Sequence, residues 1–190
     1  MSTVTPAPAL TTTEQMLALP GPEMDRELIR GELREKPMTM RNRSHSQVEA
    51  RVTKHLDNWL DTQPEPRGLI VSGEAGFRLQ RNPDSSVGID VAYVSAEVAA
   101  RSPNAAFFEG PPVLAVEILS PSDTKERIDE KIALYFEVGV PLVWLVDPRF
   151  RTITVLRPDA EPELFNVLQE LTAEPHLPGF RVPVAQLFGA

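Results

Sequence analysis

Residues 113–119 read Val-Leu-Ala-Val-Glu-Ile-Leu, a run of strand length in which six of seven side chains are apolar. Such a continuous run, closed on one side by Pro112 and on the other by Ser120-Pro121-Ser122-Asp123, predicts a strand buried on both faces. Its one polar member is Glu117. An ionised carboxylate in that setting costs several kcal/mol unless a cation, a metal or a proton compensates it. The most apolar stretch of the chain therefore also poses its sharpest chemical question.

The pattern around this strand predicts a layered architecture. Val48, Val52, Leu56, Trp59 and Leu60 recur at helical spacing, so residues 44–60 read as a one-sided amphipathic helix capped by Ser44. Strands are expected at 28–33, 69–71, 76–79 and 89–94, separated by Gly, Asn, Pro and Asp. After the buried strand, Asp123 and Glu126 resemble a capping box that opens a second helix, running to about Glu137 and stopped by Gly139 and Pro141. Leu142–Val146 is a further buried strand, and a turn at Asp147-Pro148-Arg149-Phe150 leads to another at 152–156. The proline-rich tail from Pro158 holds a last strand or turn near Phe165 and Phe180. This order describes an α/β or α+β sheet packed by two main helices. The first 22 residues, with four prolines, five threonines and one charge, read as a flexible leader, and residues 23–190 as a single domain.

Composition removes several function classes. With no cysteine, a disulfide scaffold, a thiolate zinc site, an iron–sulfur cluster and a cysteine nucleophile are excluded, and a reducing cytoplasm is the expected location. The three histidines, His45, His55 and His176, show no spacing that sets two on one helix face. No segment has the length and apolarity of a membrane span or the pattern of a signal peptide. The net charge of −8 weighs against a protein that coats nucleic acid by charge alone.

A second strand acid accompanies Glu117. Asp90, in Ile89-Asp90-Val91-Ala92-Tyr93-Val94, shares a strand face with Ala92 and Val94 by simple alternation. Two acids on neighbouring strands, with the Ile118 carbonyl and water, would supply oxygen ligands for Mg²⁺ or Mn²⁺. The alternative is a set of ion pairs, Glu117 with Lys131 or Arg78 and Asp90 with Arg78 or Arg81. Lys131 enters through geometry. The strand continues roughly 7 Å beyond Glu117, and two turns of returning helix rise roughly 10 Å, which brings Lys131 near the level of Glu117. Ile128 and Tyr135 share its helix face, so its stem can lie on apolar surface.

The ordered segments Gly31-Glu32-Leu33, Ser44-His45, Ile89-Asp90-Val91, Pro112–Ser122, Lys131, Tyr135 and Gly139–Pro148 resemble the Uma family of putative restriction endonucleases over roughly residues 24–157. The most specific part runs from Val116-Glu117-Ile118-Leu119-Ser120-Pro121-Ser122 to the Gly139-Val140-Pro141 and Trp144–Pro148 stretch. The resemblance implies the PD-(D/E)xK nuclease superfamily, a restriction-endonuclease-like α-β-β-β-α-β core and metal-dependent phosphodiester hydrolysis. Asp90 and Glu117 then stand at the metal carboxylates. Ile89 replaces the motif proline and Leu119 the motif lysine, and Lys131 on the helix takes the lysine's role. Glu32, His45 and Glu49 become auxiliary candidates.

On this reading the charge divides unevenly. Residues 34–54 hold six basic side chains, among them Arg41, Arg43 and Arg51, against two acids; that stretch is +4 and the remainder −12. A local basic patch facing DNA is the expected contact, with transient rather than tight non-specific binding. A homodimer is a further expectation, by analogy with enzymes that cut both strands, with Trp144 or Phe107-Phe108 as apolar interface candidates. The competing reading is a catalytically inactive module of the same fold, binding nucleic acid or protein, in which Glu117–Lys131 is a structural ion pair.

Overall fold

The computed structural model describes residues 10–189 apart from Pro22, Thr39 and Ser102. In chain order the elements are α1 (Thr13–Leu17), β1 (Met24–Ile29), β2 (Glu32–Pro37), α2 (Arg43–Leu60), β3 (Leu69–Gln80), β4 (Ser85–Val94), α3 (Ala96–Arg101), β5 (Phe108–Glu109), β6 (Leu114–Ile118), α4 (Lys125–Glu137), β7 (Leu142–Asp147), β8 (Thr152–Leu156), β9 (Glu163–Asn166), β10 (Glu170–Thr172), β11 (Arg181–Pro183) and α5 (Val184–Phe188). The fold is mixed α/β. A nine-stranded sheet runs β2-β1-β4-β6-β7-β8-β9, with β3 paired to β4 and β5 to β3, and β10–β11 form a separate hairpin. The β6–β7 and β3–β5 pairs are parallel and the rest antiparallel. The succession α2-β3-β4-β6-α4-β7 is the expected α-β-β-β-α-β core, with α3 and the two-residue β5 inserted.

The buried strand lies at the centre. All five residues of β6 are buried between antiparallel β4 and parallel β7. Alternation divides its side chains. Leu114, Val116 and Ile118 join a core cluster with Val48, Val52 and Leu56 of α2, while Ala115 joins a second cluster with Leu134 and Tyr135 of α4. Glu117 sits on the α4 side. The tail is more than a proline-rich extension, because Leu171, Leu177, Phe180, Val182 and Leu187 complete the α2 cluster. Trp59 of α2 donates its indole N–H to the Pro178 carbonyl at 2.9 Å.

Several local expectations change. Residues 28–33 are a hairpin rather than one strand: Arg30 and Gly31 both take positive φ, 51° and 80°, the requirement of a two-residue turn between twisted strands. Residues 69–80 form one strand, because Ser72-Gly73-Glu74-Ala75 makes a bulge, with Gly73 and Glu74 at φ 81° and 56°, instead of a chain reversal. The caps move as well. Asn42 rather than Ser44 caps α2, accepting from the His45 N–H at 2.9 Å, and Thr124 rather than Asp123 caps α4. Asp123 instead accepts from the N–H and hydroxyl of Ser120.

The expected leader divides in two. Residues 1–9 lie outside the described residues, whereas Thr12 opens the short helix α1 with a reciprocal capping box to Gln15. Thr13 is fully buried and donates both its N–H and its hydroxyl to Asp84 Oδ2, at 2.8 and 2.7 Å. Glu14 pairs with Arg78 at 2.6 Å. The second half of the leader is thus docked on the β3–β4 hairpin by polar contacts between residues distant in sequence, with Met16 buried beside them.

Candidate active site

Pairing between β4 and β6 ends at Val91↔Val116, and the next residues outward on the two strands are Asp90 and Glu117. Where the ladder stops, the Ile118 N–H turns to Asp90 and donates to its Oδ2 at 2.7 Å. The acids therefore stand at a fork in the sheet. Asp90 is 7% exposed and Glu117 7% exposed, so each depends on protein partners for its charge.

Glu117 finds its partners on α4. Lys131 Nζ lies 3.1 Å from Glu117 Oε2, and the Tyr135 hydroxyl donates to Oε1 at 2.5 Å. The same ammonium reaches the Gly88 carbonyl at 2.8 Å and Glu27 Oε1 of β1 at 3.0 Å, giving each of its three N–H groups an oxygen. Lys131 thus answers two acids, while Glu117 receives one cation and faces two like charges. Burial is the largest influence on Glu117 and pushes its pKa up, to about 7; Lys131 lowers it without fully compensating, and the Asp90 and Glu27 charges raise it further. The Lys131 pKa rises well above its usual value: burial alone would lower it, but Glu117 and Glu27 outweigh that. The direction for Tyr135 is also upward, through burial and then the neighbouring Glu117 charge.

Asp90 is handled differently. Burial, the largest single influence, would raise its pKa, but His45, the Ile118 N–H and Lys131 together hold it below the usual value. His45 projects from the first turn of α2 and is buried, with Nε2 at 3.3 Å from Asp90 Oδ1 and 3.8 Å from Glu49 Oε2. Its ring is close enough for charge attraction, but neither ring nitrogen is aimed well enough to make a hydrogen bond. One strand acid is therefore kept ionised and the other is held near neutrality.

These groups line a cleft with about 80 Å³ of free volume, shared with Asp25, Glu27, Arg34, Arg41, Glu74, Ser120 and Asp123 among others. That space takes water and an ion but not a drug-sized ligand, for which ~300 Å³ is a lower bound. Among the described residues, no group of three or more His, Asp or Glu side chains is gathered as a metal cluster. The donor set nevertheless suits a hard cation: two carboxylates and no sulfur, with Ile118 lining the same cleft. The orphaned nitrogens of buried His45 mark a polar environment beside Asp90 that the protein alone leaves unsatisfied.

Asp90, Glu117, Ile118, Lys131, His45 and Arg41 share this cleft. Glu49 lies behind His45 and accepts from the Gly73 N–H at 2.7 Å. Glu32 is on the exposed side of the hairpin, paired with Arg34 at 2.9 Å. Arg41 pairs with Glu74 on the β3 bulge. Arg43 lines a neighbouring groove, whereas Arg51 points to α5 and donates to the Gln186 carbonyl at 3.1 Å. The basic stretch is thus partly neutralised by acids elsewhere in the chain, since Lys36 pairs with Asp25 and Arg34 also reaches Glu130. The ion pairs considered for Arg78 and Arg81 go elsewhere, to Glu14 and Glu109. Trp144 is fully buried against Phe180 and offers no interface, and Phe108 is stacked on Phe77 at 5.0 Å. No helix among the described residues is long and apolar enough to cross a membrane.

Two groups around the Glu117–Lys131 pair escape a reading of the sequence, Glu27 in the cleft and Tyr135 buried behind it. Glu27 shares a strand face with Ile29 by alternation, a signal lost when the strand is begun at Leu28. Tyr135 is visible as a neighbour of Lys131 on the helix, but a tyrosine at helical spacing reads equally well as core.

A family model described as Uma2, putative restriction endonuclease, matches residues 13–185. Among solved structures, a putative nuclease belonging to DUF820 from Anabaena variabilis ATCC 29413 superposes with a TM-score of 0.77 at 24% identity, covering 93% of this chain and 97% of that one. At that identity the likeness is one of fold. No curated protein matches this chain.

Proposed function

The chain belongs to the Uma2 family of putative restriction endonucleases, and from that premise we propose that it is a divalent-metal-dependent DNA endonuclease whose cleft is built on Asp90, Glu117 and Lys131. The observation that carries this reading is the meeting of three groups from β4, β6 and α4 at one fork in the sheet, with Ile118 N–H fixing Asp90. Asp90, Glu117 and the Ile118 carbonyl would hold Mg²⁺ or Mn²⁺. Such a cation supplies a water of lowered pKa and a countercharge for the phosphate.

The chain's own residues do the rest. Asp90, held ionised beside His45, is a permanent anionic anchor. Glu117, whose carboxyl burial pushes up to about 7 in the metal-free protein, would be held ionised by the cation it ligates. Lys131 brings a fixed positive charge to the place where negative charge grows on the phosphate, and Tyr135 and Glu27 orient the side chains around it. With a net charge of −8, DNA is engaged transiently, and a cytoplasmic location is in keeping with the absence of cysteine. A homodimer would let two clefts address both strands.

One observation favours a second reading. The direct Lys131–Glu117 contact, backed by Tyr135 and Glu27, is also what an inactive module with a structural ion pair would contain. Calorimetric titration with Mg²⁺ and Mn²⁺ separates the two. The endonuclease reading expects binding that Asp90→Asn abolishes; no binding by the wild type sinks it in favour of the module.

A further inference from the structure

Beside the catalytic cleft runs a wider groove of about 1070 Å³, walled by the start of α2, the start of α4 and the β7–β8 turn. Ser120, Asp123 and Ile128 line both cavities, so the groove continues directly from the cleft. Its size is that of a site for a nucleotide-scale ligand, which the cleft itself is too small to take.

The groove ends at an exposed aromatic ring. Phe150 is 67% exposed, and among the described residues it is the one aromatic among the exposed large apolar side chains. The Arg149 guanidinium carbon sits 5.1 Å from the ring centroid. The turn that presents the pair is pre-organised: Asp147 Oδ1 accepts from the N–H groups of Arg149 and Phe150 at 2.8 and 3.1 Å, and Arg151 follows at φ 55°.

Charge in the groove is arranged rather than merely abundant. Three cations, Arg43, Lys125 and Arg149, face three acids, Asp123, Asp129 and Asp147. Asp123 accepts from Ser120, Asp147 is spent on the turn, and Asp129 pairs with Lys125. Among the described residues Arg43 and Arg149 have no carboxylate partner, which leaves two guanidinium groups for an outside anion.

We propose that this groove binds an unpaired nucleotide strand flanking the phosphodiester in the cleft, with a base stacked on Phe150 and backbone phosphates on Arg43 and Arg149. A base inside a duplex has both faces covered by its neighbours, so stacking on a side chain selects an unpaired one. Two guanidinium contacts suit a protein of net charge −8, because stacking rather than bulk charge then carries the affinity. The placement of the scissile bond rests on the endonuclease reading above; the binding itself does not.

The test is fluorescence anisotropy of the full chain in a chelating buffer, where no cleavage occurs, with labelled single-stranded DNA, the blunt duplex of the same sequence and that duplex with a single-stranded overhang. Expected is tighter binding of the single-stranded and overhang probes than of the blunt duplex. Phe150→Ala should weaken those two roughly tenfold or more, Phe150→Trp should retain them, and Leu69→Ala, at an exposed apolar residue at the opposite end of the sheet, should change nothing. The salt slope for the single strand should be about −1.4, the value for two phosphate contacts, and should fall in Arg43→Ala. Equal binding of all probes, absence of binding, or an unchanged Phe150→Ala overturns the proposal. If the subsite behaves as expected while Mg²⁺ supports no cleavage, the groove stands and the endonuclease reading falls. If cleavage persists with full single-strand affinity in Phe150→Ala, the reverse holds.

Discussion

Lys131 and Glu117, fourteen residues apart, meet at 3.1 Å because the β6–α4 connection folds the helix back across the strand that carries the acid. The pair is neither a surface ion pair nor an isolated buried one. Glu27 and Tyr135 close it from two other directions, so the cation sits among more negative charge than it neutralises.

Removing that cation should be costly. Lys131→Met keeps the volume of the stem but leaves Glu117 and Glu27 facing each other, and breaking a buried pair in this way costs about 3 kcal/mol. Thermal denaturation should show Tm falling by roughly 10 °C for a chain of this size. Adding Glu117→Gln to the variant should recover part of the loss. A wild-type Tm in Lys131→Met would mean the ammonium is not compensating the acids.

The raised Glu117 pKa has a definite sign in stability. The folded state keeps a proton, up to about pH 7, that the unfolded chain releases near 4.5, so this group's contribution is full below 4.5 and is lost as pH rises to 7. In metal-free protein, urea denaturation should find wild type losing stability relative to Glu117→Gln across that window, by a few kcal/mol at most. A difference that is flat with pH, or that grows in favour of wild type, contradicts the assignment.

The docked α1 segment should depend on one hydroxyl. Thr13→Val removes the donor to Asp84 Oδ2 and the contact with Ser86 Oγ at 2.8 Å, leaving buried oxygens short of a partner at a cost of about 1–2 kcal/mol. Amide hydrogen exchange should quicken at Thr13 and along α1 while β6 stays protected. Unchanged exchange in α1 would show that the contacts left in place, the Thr13 N–H to Asp84 and Glu14–Arg78 among them, hold the segment without the hydroxyl.

Much of the core was legible because its residues obey one period at a time. The α2 stripe, the all-buried β6 and the α4 helix ending at Gly139 are each determined by spacing and a clear stop signal. Glu117 and Lys131 could be brought together on paper because strand rise and helix rise are constants, whereas Asp90 joined them through the family resemblance, and the structure puts all three in one cleft. What stayed hidden depends on contacts distant in sequence or on unusual backbone. Arg30 and Glu74 adopt positive φ without being glycine, which turned one apparent strand into a hairpin and one apparent turn into a bulge. Burial of His45 beside Asp90 comes from the seating of α2 on the sheet, and nothing in the local pattern of Ser44-His45 reports it. Trp144, an interface candidate by residue type, is core because the tail folds Phe180 over it.

The central claim is that these acids and this lysine form a metal-dependent nuclease site. Nicking of supercoiled plasmid in Mg²⁺, followed for wild type and for Asp90→Asn protein verified as folded by circular dichroism, tests it most directly. Wild type should convert the plasmid to open circles, chelator should stop it, and Asp90→Asn should be slower by about a hundredfold or more. Equal nicking by wild type and Asp90→Asn, or none by wild type, would contradict the claim.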